Sequence, residues 1–159
     1  MLADPDFRAE ASPPTSNVHA SCVAITTQDG QTHGVLLLGP SGAGKSDLAL
    51  RLIDRGATLV ADDRVDLYLK QGRFWASPPP AIAGMIEVRG LGVLPHTFSS
   101  NVPLALAVTL RSGYDRFPMD RMQKIIAGHA LPSITIDAFE ISAPIKIALA
   151  LENIGSIWP

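Results

Sequence analysis

The chain is short of most features that would place it outside the ordinary globular enzymes. It has one cysteine in 159 residues, Cys22, so no internal disulfide is possible. That thiol sits among Val18, Ala20, Val23 and Ile25, the company of a small core residue. No apolar run approaches the ~18 residues needed to cross a bilayer, which excludes a membrane-spanning chain. Neither sign of charge dominates: 13 Lys and Arg stand against 15 Asp and Glu, for a net charge of −2. This balance, with a pI near 6.0, argues against a nucleic-acid-binding face as the main business. The N-terminus lacks the basic-then-apolar layout of a secretory signal, so the expected compartment is the cytoplasm. There is no internal repeat and no low-complexity stretch after residue 16. What is present is a 47% hydrophobic composition with a mean hydropathy of +0.21, enough for one domain with a proper core.

The most informative segment is Gly39-Pro40-Ser41-Gly42-Ala43-Gly44-Lys45-Ser46. It fits G-x-x-x-x-G-K-[ST] at every fixed position. An apolar run, Val35-Leu36-Leu37-Leu38, enters it as a strand, and a helical pattern over Asp47–Arg55 leaves it and stops at Gly56. Glycines let the backbone wrap phosphates with its N–H groups turned inward. A helix N-terminus adds partial positive charge, Lys45 a full charge for the β- and γ-phosphates, and Ser46 a hydroxyl for Mg²⁺. The chain is expected to bind ATP or a similar polyphosphate.

Residues 1–16, with Pro5, Pro13 and Pro14, have the composition of a flexible tail, and residues 17–159 that of one domain. Strands are expected at Val18–Thr26 and Thr32–Leu38, joined through Asp29-Gly30, and at Ala57–Ala61. Val65–Leu69 and Arg73–Ala76 flank Gln71-Gly72 as a second hairpin. Val102–Leu110 and Ile134–Ile136 are further strands, and Pro144 is placed to open a last helix, Ile145–Asn153. Between the last two strands runs a charged loop with Arg111, Asp115, Arg116, Asp120, Arg121 and Lys124. Gly113, Pro118 and the scarcity of apolar anchors before Met119 predict poor order there without a bound partner. Hairpins beside a strand–loop–helix–strand unit give an α/β fold with a mixed sheet.

The strand Leu59-Val60-Ala61 ends in Asp62-Asp63, one helix and one strand after Lys45. That path returns the chain to the sheet edge where the loop sits. A carboxylate there can hold Mg²⁺, directly or through water, or take a proton from an attacking hydroxyl; a plain turn would use the same residues. Further on, Glu87 and Arg89 alternate with Ile86 and Val88 ahead of Gly90-Leu91-Gly92, as a polar face of a strand or a surface ion pair would.

These segments, taken in order, make the chain resemble the catalytic domain of HPr kinase/phosphorylase, which modifies a serine of the phosphotransferase-system carrier HPr. The likeness runs from about Val18 to about Leu151. It takes in the octet at 39–46, Arg55-Gly56, Leu59–Val65, Ile86–Val93 with the family's Glu-x-Arg-Gly-Leu-Gly, and Tyr114-Asp115-Arg116. The resemblance implies a phosphate-loop fold of the HPr kinase and phosphoenolpyruvate-carboxykinase type, with ATP and Mg²⁺ as cofactors. It implies an HPr-type carrier as partner and a homo-oligomer, a hexamer in the family. The separate N-terminal domain of longer members has no counterpart here, as in the family's short form.

Residue by residue, the resemblance makes Lys45 the phosphate-binding cation and Ser46 and Glu87 metal-linked, with Asp62 and Asp47 beside them. Asp63 becomes the general base, Arg116 the catalytic arginine, and Asp120 its acidic partner, with Asp115 and Arg89 nearby. His19 matches a histidine that opens the first strand, although Ala20 replaces the glycine that follows it there. Where the family has Glu after Lys-Ser this chain has Asp47, one methylene shorter. The family's Pro-x-Lys-x-Gly-Arg, tied to dephosphorylation, reads Pro144-Ile145-Lys146-Ile147-Ala148-Leu149, so only Lys146 of its two cations remains. The implied activity is therefore serine phosphorylation with weak reversal. Two other readings of the same residues are a regulatory nucleotide-binding switch and a small-molecule kinase with Arg111–Arg121 as its lid. The first lacks a guanine-reading Asn-Lys-x-Asp.

Overall fold

In a computed structural model that describes residues 13–116 and 122–157, the described residues form ten strands, three α-helices and one 3-10 turn (Pro80–Ile82). The first strand, β1 (Ser16–Thr26), is long enough to serve two sheets. Its first four residues pair with β4 (Arg64–Lys70), and Ala20–Thr26 pair antiparallel with β2 (Thr32–Leu38). On its other edge Cys22–Ala24 meet β3 (Thr58–Ala61). The strand β8 (Val102–Leu110) is shared in the same way. Its start pairs with β5 (Arg73–Ser77), while the rest runs parallel to β2 and to β10 (His129–Ile136). Since β4 and β5 form a hairpin, the path β1-β2-β8-β5-β4 closes on itself. The mixed α/β character follows from that circuit: one parallel pairing, β2 with β8, among antiparallel ones.

Two cores lie on the two sides of the shared strands. Inside the closed circuit pack Ala20, Cys22, Leu36, Val65, Leu67, Phe74, Ala76 and Leu104. Burial pushes the Cys22 thiol up to about 12, so it stays a neutral packing group. Outside, Val35, Leu37, Leu106 and Val108 pack against α1 (Lys45–Asp54) and α2 (Ala143–Glu152). In β8 the inward Leu104 and the outward Leu106 are two apart, which a regular strand forbids. A register shift at Gly34/Val35, opposite Leu104 and Leu106, leaves Ala105 as the extra residue and exchanges the faces. Gly34 permits it, because a Cβ there would meet the Leu104 side chain at 2.9 Å and the Pro103 carbonyl at 3.0 Å.

Several expectations need correction. The charged loop after β8 ends before residue 123, because β9 (Gln123–Ile126) takes Lys124 onto a strand paired with β10. The last strand starts at His129 rather than Ile134. The segment from Met85 to Pro95 is a hairpin, β6 (Met85–Val88) with β7 (Gly92–Pro95), so Arg89 lies in its turn and not on a strand face with Glu87. Gly155, expected beyond the last helix, belongs to the short α3 (Ile154–Ile157). Asp120, Arg121 and the predicted disorder around Pro118 and Met119 lie outside the described residues, as does most of the tail. Among the described residues no helix is long and apolar enough to cross a membrane.

Candidate active site

The ends of β2 and β3 and the middle of β1 meet at one edge, and the loop 39–46 closes over it. Gly42 and Gly44 take positive φ (85° and 93°), which turns the chain directly into α1. Gly44 also lies where a Cβ would press on Ala138 at 3.1 Å, so a side chain there would be both strained and crowded. Lys45, only 8% exposed, folds back over the loop, and its Nζ donates to the Gly39 and Pro40 carbonyls at 2.6 and 3.0 Å. Two of its three donors are thus used within the loop, leaving a fixed ammonium at its concave side.

Beneath the loop, Asp62 is the polar centre. It is 5% exposed, and Oδ1 accepts from the hydroxyls of Ser46 and Ser21, each at 2.7 Å. Its Oδ2 accepts from the Glu87 backbone N–H at 2.9 Å. Hydrogen bonds to a charged group are worth about 1.5–3 kcal/mol each, so this carboxylate pins three separate elements together. Ser21 was not legible as a site residue. The signal was a serine between Ala20 and Cys22 in an otherwise apolar run, which in a buried strand requires a partner.

Its neighbour points the other way. Asp63 takes φ 70°, a left-handed conformation that aspartate tolerates, and its side chain is 72% exposed. The His19 ring donates from Nε2 to Asp63 Oδ1 at 3.1 Å, and the Asp63 carbonyl accepts the Ala20 N–H at 3.1 Å. The single sequence feature Asp62-Asp63 therefore splits into a buried structural acid and an accessible one held by an imidazole.

His19, Ser41, Lys45, Ser46, Asp47, Asp63, Glu87 and Arg89 line one cleft of about 610 Å³, which Phe139 also borders. The positively charged loop faces the Asp63–His19 pair across it, an arrangement suited to holding an anion beside a proton acceptor. Phe139 was missed because it comes from the turn after β10, distant in sequence. Asp47 is turned toward its own helix, where Arg51 Nε donates to its Oδ2 at 3.0 Å. Asp115, Arg116 and Lys146 do not line the cleft. Lys146 donates to Glu140 Oε2 at 2.5 Å and to the Tyr114 hydroxyl at 2.7 Å.

The family model described as HPr Serine kinase C-terminal domain matches residues 11–152. HPr kinase/phosphorylase of Lactobacillus delbrueckii subsp. bulgaricus is 33% identical over 155 residues, covering 89% of this chain. That of Streptococcus sanguinis is 35% identical over 116 residues, covering 65% of this chain and 37% of the relative. The chain spans 45% of the length of the Lactobacillus protein, less than half of it. The solved Hpr(Ser) kinase/phosphatase of Coxiella burnetii superposes with a TM-score of 0.72 at 26% identity, covering 89% of this chain and 97% of that one. With the match running through every element that builds the cleft, the chain belongs to the HPr serine kinase C-terminal domain family.

Proposed function

We propose that this domain, residues 17–159, transfers the γ-phosphoryl group of ATP to a serine of an HPr-type carrier protein. One observation carries the reading: a phosphate-loop octet and an accessible, histidine-held carboxylate, Asp63, face each other across one cleft. The serine oxygen would attack the γ-phosphorus in line, the bond to the β–γ bridging oxygen would break, and ADP would leave. Asp63 would accept the hydroxyl proton. It needs no unusual basicity, because in a loose transition state the proton transfers late. His19 orients the carboxylate, as the third member of a nucleophile–base–orienter set does. The loop N–H groups and Lys45 would bind the β- and γ-phosphates, with phosphate oxygens replacing loop carbonyls around its ammonium.

The donors suit Mg²⁺: the Ser46 hydroxyl with Asp62 behind it, and the carboxylates of Glu87 and Asp47 at the cleft wall. Among the described residues no group of three or more His, Cys, Asp or Glu could hold a metal by itself. This accords with an ion shared between a hydroxyl, substrate phosphates and water rather than caged by protein. When bound, Mg²⁺ neutralises charge on the transferring phosphates. Since Asp47 is held by Arg51, its reach to that ion would be through water.

The test is incubation with labelled ATP, Mg²⁺ and either purified HPr or a panel of small metabolites. Phosphoserine on HPr is expected. Label on a metabolite alone would favour a small-molecule kinase, and nucleotide binding with no transfer would favour a regulatory switch.

A further inference from the structure

The segment that leaves β8 toward Arg116 is held at two points. At its start the Arg111 N–H donates to the Ile136 carbonyl at 3.0 Å, continuing the pairing of β8 with β10. Three residues on, Tyr114 is caught between two ions. Its hydroxyl donates to Glu140 Oε1 at 2.5 Å and accepts from Lys146 Nζ at 2.7 Å. The Lys146 ammonium also lies 5.0 Å from the Tyr114 ring centre and bonds Glu140 Oε2. Glu140 is fixed in turn, because Arg51 of α1 donates to its carbonyl at 3.3 Å and to that of Ala138.

We propose that Tyr114, Glu140 and Lys146 form a clamp that positions the chain carrying Arg116 for phosphoryl transfer. Lys146 is then a positioning residue and not a cation that holds phosphate. The inference deepens the kinase reading above and takes Arg116 as the arginine that the family resemblance implies, which stands outside the cleft in this structure. Three features carry it. The three side chains satisfy one another, so Lys146 directs its charge at Glu140 rather than into the cleft, which it does not line. Both ions persist across the neutral range: hydrogen bonds from Lys146 and Tyr114 hold Glu140 below the usual carboxylate value, and Glu140 and Tyr114 raise Lys146. Tyr114 is two residues from Arg116, so a single residue, Asp115, stands between the clamp and the arginine. The same clamp reaches α1 through Arg51, whose other partner, Asp47, follows the loop directly. The Arg116 segment and the phosphate loop are thereby registered on one helix.

The test uses Tyr114→Phe, which removes the bridging hydroxyl and keeps the ring, with Glu140→Gln and Lys146→Met. Two readouts are taken: amide hydrogen exchange over residues 111–116 in the absence of substrate, and steady-state transfer from ATP to HPr. In all three variants exchange at 111–116 should rise, kcat should fall roughly 10- to 100-fold as expected of a misplaced catalytic group, and KM for ATP should hold within about twofold. The double variant Glu140→Gln/Lys146→Met should be no slower than either single change, since both remove one unit. Unchanged exchange would overturn the clamp. Raised exchange with unaltered kcat would reduce it to a structural contact and overturn its positioning role. A loss confined to Lys146→Met, accompanied by a higher requirement for inorganic phosphate in the reverse direction, would restore Lys146 as a phosphate-holding cation. If the unaltered protein transfers nothing while exchange still responds, the kinase reading fails and the clamp stands.

Discussion

Two adjacent aspartates, Asp62 buried and Asp63 exposed, are assigned separate work by their surroundings. Asp62 accepts three hydrogen bonds and is closed to a protein substrate, whereas Asp63 presents a carboxylate to the cleft. Asp63→Asn preserves shape and removes the proposed proton acceptor. It should lower the transfer rate by on the order of 10²–10⁴ while leaving ATP affinity within a few-fold. Single-turnover transfer and equilibrium nucleotide binding measure the two separately. A collapse of binding with the rate preserved at saturating ATP would make Asp63 a metal ligand. For Lys45→Ala both quantities should fail together, because the nearly buried cation proposed to face the phosphate charges is lost. Titration with a fluorescent ATP analogue reads the binding loss, and normal turnover in this variant would remove the loop from the phosphate site.

At the level of elements, α2 and the strands tell different stories about what a sequence discloses. The octet was legible because its glycines, lysine and serine each have a fixed local task, and β1 to β5 because each has a buried face and a turn of expected chemistry. Those that escaped lacked one or the other. All four residues of β7 are exposed, so no burial pattern marked it. The turn from β9 to β10 is Ala127-Gly128 with both φ positive, and alanine is a poor signal for a conformation that Asn-Gly usually announces. The Asp62 hub and the Tyr114–Glu140–Lys146 set depend on partners 16 to 41 and 6 to 32 positions apart, which only the fold brings together. On α2 the same limit has a chemical consequence. Leu149 stands 57% exposed where the resembling family has arginine, and Lys146 is engaged by Glu140. Release of phosphate from serine-phosphorylated HPr should therefore be slow or undetectable even in abundant inorganic phosphate, against robust forward transfer. Ala148→Gly with Leu149→Arg should recover part of it, at a cost of about 1 kcal/mol for glycine inside a helix. Comparable forward and reverse rates in the unaltered protein would assign the missing cation to Arg89 or Arg116.

Across the whole molecule, the closed circuit of strands and the helix-covered face depend on the same backbone. Leu36 and Leu37 are neighbours on β2, both fully buried, yet Leu36 packs inside the circuit and Leu37 beneath the helices. If the two cores were separate folding units, truncating one leucine would loosen its own side only. Because β1, β2 and β8 belong to both, the domain should unfold as one. Leu36→Ala and Leu37→Ala should each cost about 2–5 kcal/mol, the range for a buried leucine that leaves a cavity. For a domain of this size that is a fall in Tm on the order of 5–15 °C. In a Trp158→Phe background Trp75, on β5 of the closed circuit, reports one side, and far-UV circular dichroism of the helices the other. Both signals should move together in both variants, with one midpoint each. A Leu37→Ala protein whose helical signal melts below its tryptophan signal would show that the α1–α2 layer detaches on its own. The loop 39–46, rooted in β2 and α1 alike, would then lose its fixed geometry before the sheet beneath it does.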